Sequence, residues 1–192
     1  VKQAIEPLKF HIGDNVIEQL GIIRYEPNIQ THFATGAEWA TPPIGIFPKY
    51  DVESWNRYKH VMLPNEEVVV TEKLHGASGK FLFQDGQMHC STRNHWVKDD
   101  PKNLLWNCLR QNPWIEKWCA FNEGLCLYGE VFGQVQDLKY GAKQNELFFR
   151  VFDILQYGRW LDYPNMLLTG LDLSHSGNNI KFVTQLYRGS YI

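Results

Sequence analysis

A hairpin signal near the middle of the chain constrains the fold more than any other feature of the sequence. Asp85 and Gly86 form a dipeptide that favours a two-residue turn, and it joins the strand-forming runs 80–84 and 87–91. Three further runs rich in β-branched and aromatic residues follow the same pattern, at 68–71, 125–132 and 147–155. Together these runs predict a sheet with much antiparallel pairing.

Three helices are predicted beside these strands. The first is expected to take its N-cap and first-turn proline from residues 99–101, and its apolar face is formed by Leu104, Leu105, Cys108 and Leu109. A second helix is predicted to start at Pro113, and a third runs from Pro164 through Leu168. This mixture of strands and helices indicates an α+β fold. Neither glycine-rich phosphate-binding fingerprint, the P-loop or the dinucleotide motif, is present.

The composition excludes several classes of protein. Of the 192 residues, 44% are hydrophobic and 21% are charged, which is typical of a globular chain. No run approaches the ~20 apolar residues of a membrane span, and no signal-peptide pattern is visible. The formal charge of -2 excludes a histone-like polycation but not an enzyme with a locally basic groove.

The four cysteines lack any Cys-x-x-Cys pair, so a zinc site is not expected. They are Cys90, Cys108, Cys119 and Cys126. Free thiols are typical of a reducing compartment, and a cytoplasmic, intracellular location is therefore predicted.

A stretch rich in proline and glycine, residues 28–49, is the best candidate for an interdomain linker. Phe33, Trp39 and Phe47 lie within it, and their apolar rings predict that the stretch packs on a surface rather than floating.

Four short segments hold the residue types that chemistry requires: 71–76, 91–94, 128–133 and 149–154. Three of them fall on or at the end of predicted strands. Since alternate side chains of a strand share one face, these segments can converge on one side of the sheet.

Lys73 stands where an apolar strand breaks into a turn at Gly76. Partial desolvation at such a point favours the neutral amine that acts as a nucleophile. Gly76 would let the backbone approach a bound phosphate or base. The alternative is an ordinary surface lysine, because Lys-x-x-Gly arises readily by chance.

Glu130 is a carboxylate inside an otherwise apolar strand, so it needs a partner. A ribose hydroxyl or a hydrated Mg²⁺ would serve, and so would a neighbouring lysine or arginine. Phe152 is either a core residue or a stacking platform for a base, and Asp153 stands beside it.

In this order the four segments resemble the covalent nucleotidyltransferases, which comprise DNA ligases, RNA ligases and mRNA capping enzymes. They are most similar to ATP-dependent RNA ligases that seal 3′-OH and 5′-phosphate ends. The Lys-x-His-Gly form at 73–76 is the variant of RNA ligases that act on duplex nicks, whereas DNA ligases and capping enzymes usually carry Asp at the third position. Segments 21–27, 47–53 and 133–141 are similar to the Deinococcus-type branch, which carries an OB-like domain ahead of the ligase domain.

The resemblance implies an α+β nucleotidyltransferase (ATP-grasp-like) ligase domain with mostly antiparallel sheets and flanking helices. This adenylyltransferase domain would span residues 50–192, after the linker at 28–49 and the end of an OB-like N-terminal domain at 1–27. The Glu-Gly and Lys-x-Lys motifs that follow in the family are not found, and the sequence does not begin with Met. We therefore expect the 192 residues to be part of a longer protein, incomplete at the C-terminus.

The resemblance also implies a role for each motif residue. Lys73 would be the adenylated nucleophile, and Phe152 would stack on adenine with Asp153 beside it. Glu130 would contact ribose or orient metal-bound water. The remaining nucleotide-binding residues would be Glu72, which frames the adenine, His75 in place of the usual Asp, Gly76, and Arg93 on the sugar-phosphate side. Ser78 departs from the pattern, because phage nick-sealing relatives carry Asn there.

The implied activity is ligation of RNA through a covalent lysyl-AMP intermediate. The cofactors would be ATP and Mg²⁺ or Mn²⁺, and the partner would be RNA with 3′-OH and 5′-phosphate ends, nicked duplexes included. Neither a membrane nor a protein partner is inferred. Two alternatives stay open, a DNA-joining or capping-type nucleotidyltransferase and a non-catalytic nucleic-acid-binding module. The intact Lys73, Arg93 and Glu130 favour an enzyme.

Overall fold

Two antiparallel sheets organise residues 38–171 and 179–191, which are the part of the chain that the computed structural model describes. The smaller sheet pairs β1, Glu67–Thr71, with β8, Gln185–Ser190. The larger has six strands: β2 Ala77–Gln84, β3 Gln87–Ser91, β4 Trp96–Val97, β5 Leu125–Gly133, β6 Leu147–Gln156 and β7 Arg159–Trp160. Their order is β4-β3-β2-β5-β6-β7, so β5 lies in the interior between β2 and β6.

The hairpin predicted at Asp85 and Gly86 is confirmed. Both residues have a positive φ, 53° and 74°, and the register places Gln84 opposite Gln87. A two-residue turn with two positive φ angles twists in the same sense as the strands that it joins. The α+β class and the mostly antiparallel pairing are likewise confirmed.

Four α-helices accompany the sheets in the described residues: α1 Trp55–Tyr58, α2 Leu104–Gln111, α3 Trp114–Phe121 and α4 Tyr163–Thr169. A 3₁₀ turn, Lys59–Val61, follows α1. Helices α2 and α3 pack on one face of the six-stranded sheet, where Leu105, Ile115 and Trp118 join Phe81 and Phe149 in the main core. Part of the opposite face is buried under Ala40, Phe47 and Tyr50, and the site described below lies on the same face.

The predicted start of the first helix is wrong by several residues. Asp100 and Pro101 lie in a preceding turn, in which the Asp100 carboxylate accepts from the Lys102 amide at 2.6 Å. Helix α2 begins after Asn103, whose side-chain oxygen accepts from the amides of Leu105 and Trp106 at 2.9 and 3.2 Å. An Asn with extended backbone satisfies two otherwise unpaired amides of the first turn, which explains the later start.

The described part of the candidate linker lies against the edge of the sheet. Trp39 forms a bridge with Val97, the Ala40 amide donates to the Trp96 carbonyl at 3.0 Å, and the Phe47 ring meets the Trp96 ring edge-on at 5.2 Å. Residues 38–49 thus pack on the domain. Phe33 and the expectations for residues 1–37 lie outside the described residues, and the domain boundaries stay predictions.

All four cysteines are buried and free. Burial raises the pKa of the Cys108 thiol to about 12, so this group stays protonated at neutral pH. No helix in the two described segments combines the length and the apolar character that crossing a bilayer would demand.

The C-terminal asparagine of α2 provides a test of the packing between this helix and β6. Asn112 is buried, and its amide nitrogen donates to the Cys108 and Leu147 carbonyls at 2.9 and 3.0 Å. Asn112→Asp would point a carboxylate at two carbonyl oxygens, so we expect the free energy of unfolding at pH 7 to fall by about 2–4 kcal/mol. Urea denaturation measures this change.

The matched control is Asn122→Asp at the end of α3. Asn122 is partly buried and donates to one carbonyl, that of Trp118, at 2.9 Å, so its loss should be about 1 kcal/mol or less. The introduced carboxylate at position 112 should have a pKa above its unfolded value, so its penalty should ease as the pH falls through that pKa. Equal losses for the two variants at pH 7 would contradict the prediction.

Candidate active site

A cleft of about 490 Å³ lies between the two sheets, on the face of the larger sheet opposite α2 and α3. Its floor comes from β2, β5 and β6, its wall from the end of β1 and Val183, and its outer side from residues 50–52. The lining residues are Tyr50, Asp51, Val52, Thr71, Glu72, Lys73, Leu74, Ser78, Arg93, Glu130, Phe152 and Val183. Volumes of roughly 300–1,000 Å³ are typical of small-molecule sites.

A second cleft, of about 560 Å³, lies at the hairpin turn beside Ile44, Ile46 and Tyr157. It is slightly larger, but its described lining contains the carboxylates Asp85 and Glu123 and no lysine, arginine or histidine. The cleft between the sheets is the candidate site because it combines cations, carboxylates and an aromatic ring.

The register of β2, β5 and β6 determines which residues form the floor of the cleft. Ser78 on β2 lies opposite Glu130 on β5, and Tyr128 lies opposite Asp153 on β6. The register shifts between Tyr128 and Gly129, whose partners are Asp153 and Val151, so Phe152 is the extra residue of a β-bulge. Two successive residues of β6 therefore lie on the same face of the sheet, whereas successive residues of a regular strand lie on opposite faces.

Lys73 and Glu130 interact electrostatically across the cleft. Burial raises the pKa of Glu130, whereas the positive charge of Lys73 and a hydrogen bond from the Gly76 amide act in the opposite direction. Lys73 itself is exposed, so the protein alone does not provide the partial desolvation expected from the sequence. The half-buried carboxylate thus meets both a cation and a donor within the described residues.

The turn from Lys73 to Gly76 is held against β5. A Cβ atom on Gly76 would lie 2.1 Å from the Val131 carbonyl oxygen, so only glycine fits there. The side-chain amide of Gln136 donates to the Gly76 carbonyl, and the Tyr140 hydroxyl accepts from the backbone amide of His75 at 2.8 Å. The expected reason for this glycine was access for a ligand, but the structure shows close packing against the neighbouring strand.

Arg93 and Asp51 form an ion pair at the edge of the cleft, with Nη2 and Oδ1 2.5 Å apart. The Lys49 ammonium lies 3.9 Å from the same carboxylate. All three side chains are substantially exposed, so the pairs contribute little to stability. Their effect is to gather two cations beside one carboxylate at the cleft.

An aromatic and acidic group forms the inner end of the cleft. The Tyr50 ring lies 4.6 Å from the Phe152 ring, and the Tyr50 hydroxyl donates to the Asp153 carboxyl. Burial raises the pKa of Asp153 to about 6, although the Ile154 amide, at 2.9 Å, and Tyr50 favour the charged form. Burial also raises the pKa of Tyr50 to about 12, so this hydroxyl remains a donor at neutral pH.

The structure brings together most of the predicted site residues. The cleft is lined by Glu72, Lys73, Arg93, Glu130 and Phe152. Asp153 does not line the cleft but is hydrogen-bonded to Tyr50, which does, and the Gly76 amide is hydrogen-bonded to Glu130. His75 is exposed and is not part of the lining.

Sequence reasoning gave no role to four residues that shape this site: Tyr50, Asp51, Gln136 and Tyr140. They lie in segments 47–53 and 133–141, whose similarity to one ligase branch was visible. That similarity was the only available signal, because their contacts join positions as far apart as 75 and 140.

The cleft is suited to a metal ion whose ligands are mostly water and substrate atoms. Within residues 38–171 and 179–191, no three His, Cys, Asp or Glu side chains cluster to hold a metal. Glu130 offers one half-buried carboxylate to the cleft, and Mg²⁺ typically binds through one or two carboxylates together with substrate phosphates and waters.

Comparison with solved structures gives several similar proteins. Naegleria gruberi RNA ligase with PPi has a TM-score of 0.69 and 26% identity, and the match covers 94% of this chain and 54% of that chain. An arginine-to-alanine mutant of that ligase with ATP and Mn gives 0.70 and 27%, with 93% and 53% coverage. A lysine-to-methionine mutant with AMP and Mn gives 0.68 and 25%, with 94% and 54%. The chain thus spans about half the length of the solved ligases.

No curated protein sequence gives a significant match to the chain. The family model described as RNA ligase, in contrast, matches residues 66–192, which include β1 and all strands of the larger sheet. That match covers most of the chain and contains most of the residues that line the cleft. The chain therefore belongs to the RNA ligase family.

Proposed function

We propose that this chain is the adenylyltransferase part of an ATP-dependent RNA ligase, which joins 3′-OH and 5′-phosphate ends through a lysyl-AMP intermediate on Lys73. The adenylyltransferase domain would span residues 50–192, preceded by the linker at 28–49 and by the end of an OB-like domain at 1–27. An intracellular location is part of the same proposal.

One observation carries the proposal. Lys73, Glu130, Arg93 and Phe152 line a single cleft of a size suited to a nucleotide, although they come from four separate segments of the sequence. A nucleophile, a carboxylate, a cation and an aromatic ring are the groups that a covalent nucleotidyl transfer requires. Mutants of the Naegleria gruberi RNA ligase have been solved with ATP or AMP and Mn, which supports a nucleotide as the ligand.

In the first step the neutral amine of Lys73 would attack the α-phosphorus of ATP. An N–P bond forms, the bond to the bridging oxygen breaks, pyrophosphate leaves, and the nitrogen releases one proton to solvent to give the phosphoramidate. A bound Mg²⁺ or Mn²⁺ would offset the negative charge that develops on the phosphate oxygens. Glu130 would orient metal-bound water or the ribose, and the Gly76 amide donates a hydrogen bond to its carboxylate.

The later steps would transfer AMP from Lys73 to the 5′-phosphate of an RNA and then release it. Attack of a 3′-OH on the activated 5′-phosphate forms the new phosphodiester and expels AMP. Arg93 would hold the sugar-phosphate side of the nucleotide, which requires it to exchange its Asp51 partner for a phosphate. Phe152 would stack on the adenine, with Tyr50 and Asp153 fixing the ring position.

Lys73→Met should abolish the covalent label when the full-length protein is incubated with α-labelled ATP, because the variant lacks the amine that attacks phosphorus. Peptide mapping of the wild-type protein should place the AMP on Lys73. Lys117→Met on α3, an exposed lysine on the far side of the sheet, is the control and should label normally. Label on any other lysine would overturn the assignment.

Glu130→Gln should slow adenylation at least tenfold, equivalent to about 1.4 kcal/mol of transition-state stabilisation, because an amide cannot replace the charge of the carboxylate. Single-turnover adenylation measures the rate, and thermal unfolding checks the fold. An unchanged rate with an unchanged melting temperature would reduce Glu130 to a structural partner of Lys73.

Phe152→Leu should weaken ATP binding more than it weakens the fold, because leucine keeps the apolar contact but removes the aromatic face. The control is Phe81→Leu in the main core, where we expect the reverse, a loss of stability with normal affinity. Calorimetric titration with ATP and denaturant unfolding provide the two readouts. A large stability loss with normal affinity in Phe152→Leu would assign this residue to the core.

A further inference from the structure

Trp39 is a large aromatic side chain that is held in place and yet left exposed. Its backbone forms a bridge with Val97, and the neighbouring hydrogen bonds join the Ala40 amide to the Trp96 carbonyl and the Lys98 amide to the Glu38 carbonyl, each at 3.0 Å. The side chain nevertheless remains 60% exposed. Single exposed hydrophobic residues are common, so exposure alone would carry no argument.

The second observation is a ring stack. The Trp39 indole lies parallel to the His95 imidazole, with the ring centroids 4.4 Å apart and the planes 9° from parallel. His95 is itself fixed in a tight turn, in which its amide donates to the Thr92 hydroxyl at 3.1 Å and its carbonyl accepts from the Thr92 amide at 2.9 Å. One face of the indole is therefore supported, and the exposed fraction leaves the other face open to a planar ligand.

The third observation is the position of this stack beside the cleft. Arg93, which lines the cleft, and His95, which supports Trp39, belong to the same turn and are two residues apart. Two residues of chain span at most about 7 Å. The Cα atoms of Arg93 and His95 therefore lie within this distance, which places the support of the indole close to the arginine that lines the cleft.

We propose that the Trp39–His95 stack is a base-stacking platform for an unpaired nucleotide of the RNA strand whose end enters the cleft. The proposal rests on the function proposed above and names where that substrate contacts the protein outside the nucleotide site.

The surroundings of the platform favour a nucleic acid over a protein partner. Exposed charged side chains flank it, among them Glu38 and Lys98, which pair at 2.5 Å, and Arg93 and Lys49 stand at the neighbouring cleft edge. The cores of protein interfaces are depleted of charged residues, whereas single-strand binding sites combine aromatic faces with cations along the backbone.

The test measures RNA binding and self-adenylation separately in the full-length protein. The probe is a single-stranded RNA oligonucleotide with a 5′-phosphate and a fluorophore, titrated by anisotropy. We expect Trp39→Ala to weaken binding by roughly fivefold or more, as stacking on aromatic residues generally contributes. Trp39→Phe should recover part of the loss, and His95→Ala should weaken binding less than Trp39→Ala because the indole keeps its open face.

The matched control is Phe121→Ala, which removes another exposed aromatic ring, at the end of α3 on the opposite side of the sheet. It should leave the RNA affinity unchanged. Self-adenylation with labelled ATP should be normal in all four variants, since the platform lies outside the ATP site.

The outcomes separate the two proposals. Loss of RNA affinity in Trp39→Ala with normal self-adenylation and a normal melting temperature supports the platform. Unchanged RNA affinity in Trp39→Ala and His95→Ala overturns it. Absence of self-adenylation in the wild-type protein would overturn the proposed function, while a selective loss of RNA binding would still identify the platform as an RNA contact.

Discussion

The register of β5 between β2 and β6 is the constraint on which the rest of the site depends. β5 is paired on both sides, and every one of its residues except Glu130 is buried. One face of the strand is committed to the core against α2 and α3, so its alternate residues lie on the other face, where Cys126 and Tyr128 are buried in a second apolar cluster and Glu130 lines the cleft. Glu130 is thereby fixed opposite Ser78, and the Lys73–Gly76 turn is fixed by its contact with the Val131 carbonyl.

Close packing also restricts the backbone of the turn from Lys73 to Gly76. Gly76 lies so close to the β5 backbone that a Cβ atom cannot fit. Gly129 on β5 is equally close to β6, because a Cβ atom there would lie 2.3 Å from the Arg150 carbonyl oxygen. Gln136 and Tyr140 then fasten the turn from the other side. The exposed side chain of Lys73 thus extends from a rigid base, which limits the orientational entropy that binding must remove.

Much of the fold could be predicted from the sequence because local signals and tertiary packing agree there. The Asp85–Gly86 turn, the long apolar strands and the helix that starts after Pro113 each follow from short-range chemistry. The start of α2 could not be predicted in the same way, because Asp100 and Asn103 are both competent caps and the choice depends on the preceding turn.

Nor could the surroundings of Lys80 be predicted. This lysine is only 4% exposed, and its ammonium lies 5.6 and 5.5 Å from the Trp96 and Tyr128 rings. Burial lowers its pKa, and the two ring faces supply the compensating interaction that a carboxylate normally gives. Lys73 and Gly76 were identified from adjacent residues of the sequence, but the exposure of Lys73 and the packing of Gly76 against β5 were not foreseen. The contact of Tyr50 with Asp153 was not predictable, because chain folding alone brings those residues together.

The bulge in β6 makes one point of this strand tolerant of a change in length. Removing one residue at positions 152–153 would restore regular pairing with β5 and leave the flanking core residues Val151 and Ile154 on their original sides of the sheet. The same deletion elsewhere in β6 would turn buried side chains outward along the rest of the strand. A deletion at this point would therefore alter the part of the cleft that Phe152 lines without rebuilding the core beneath it.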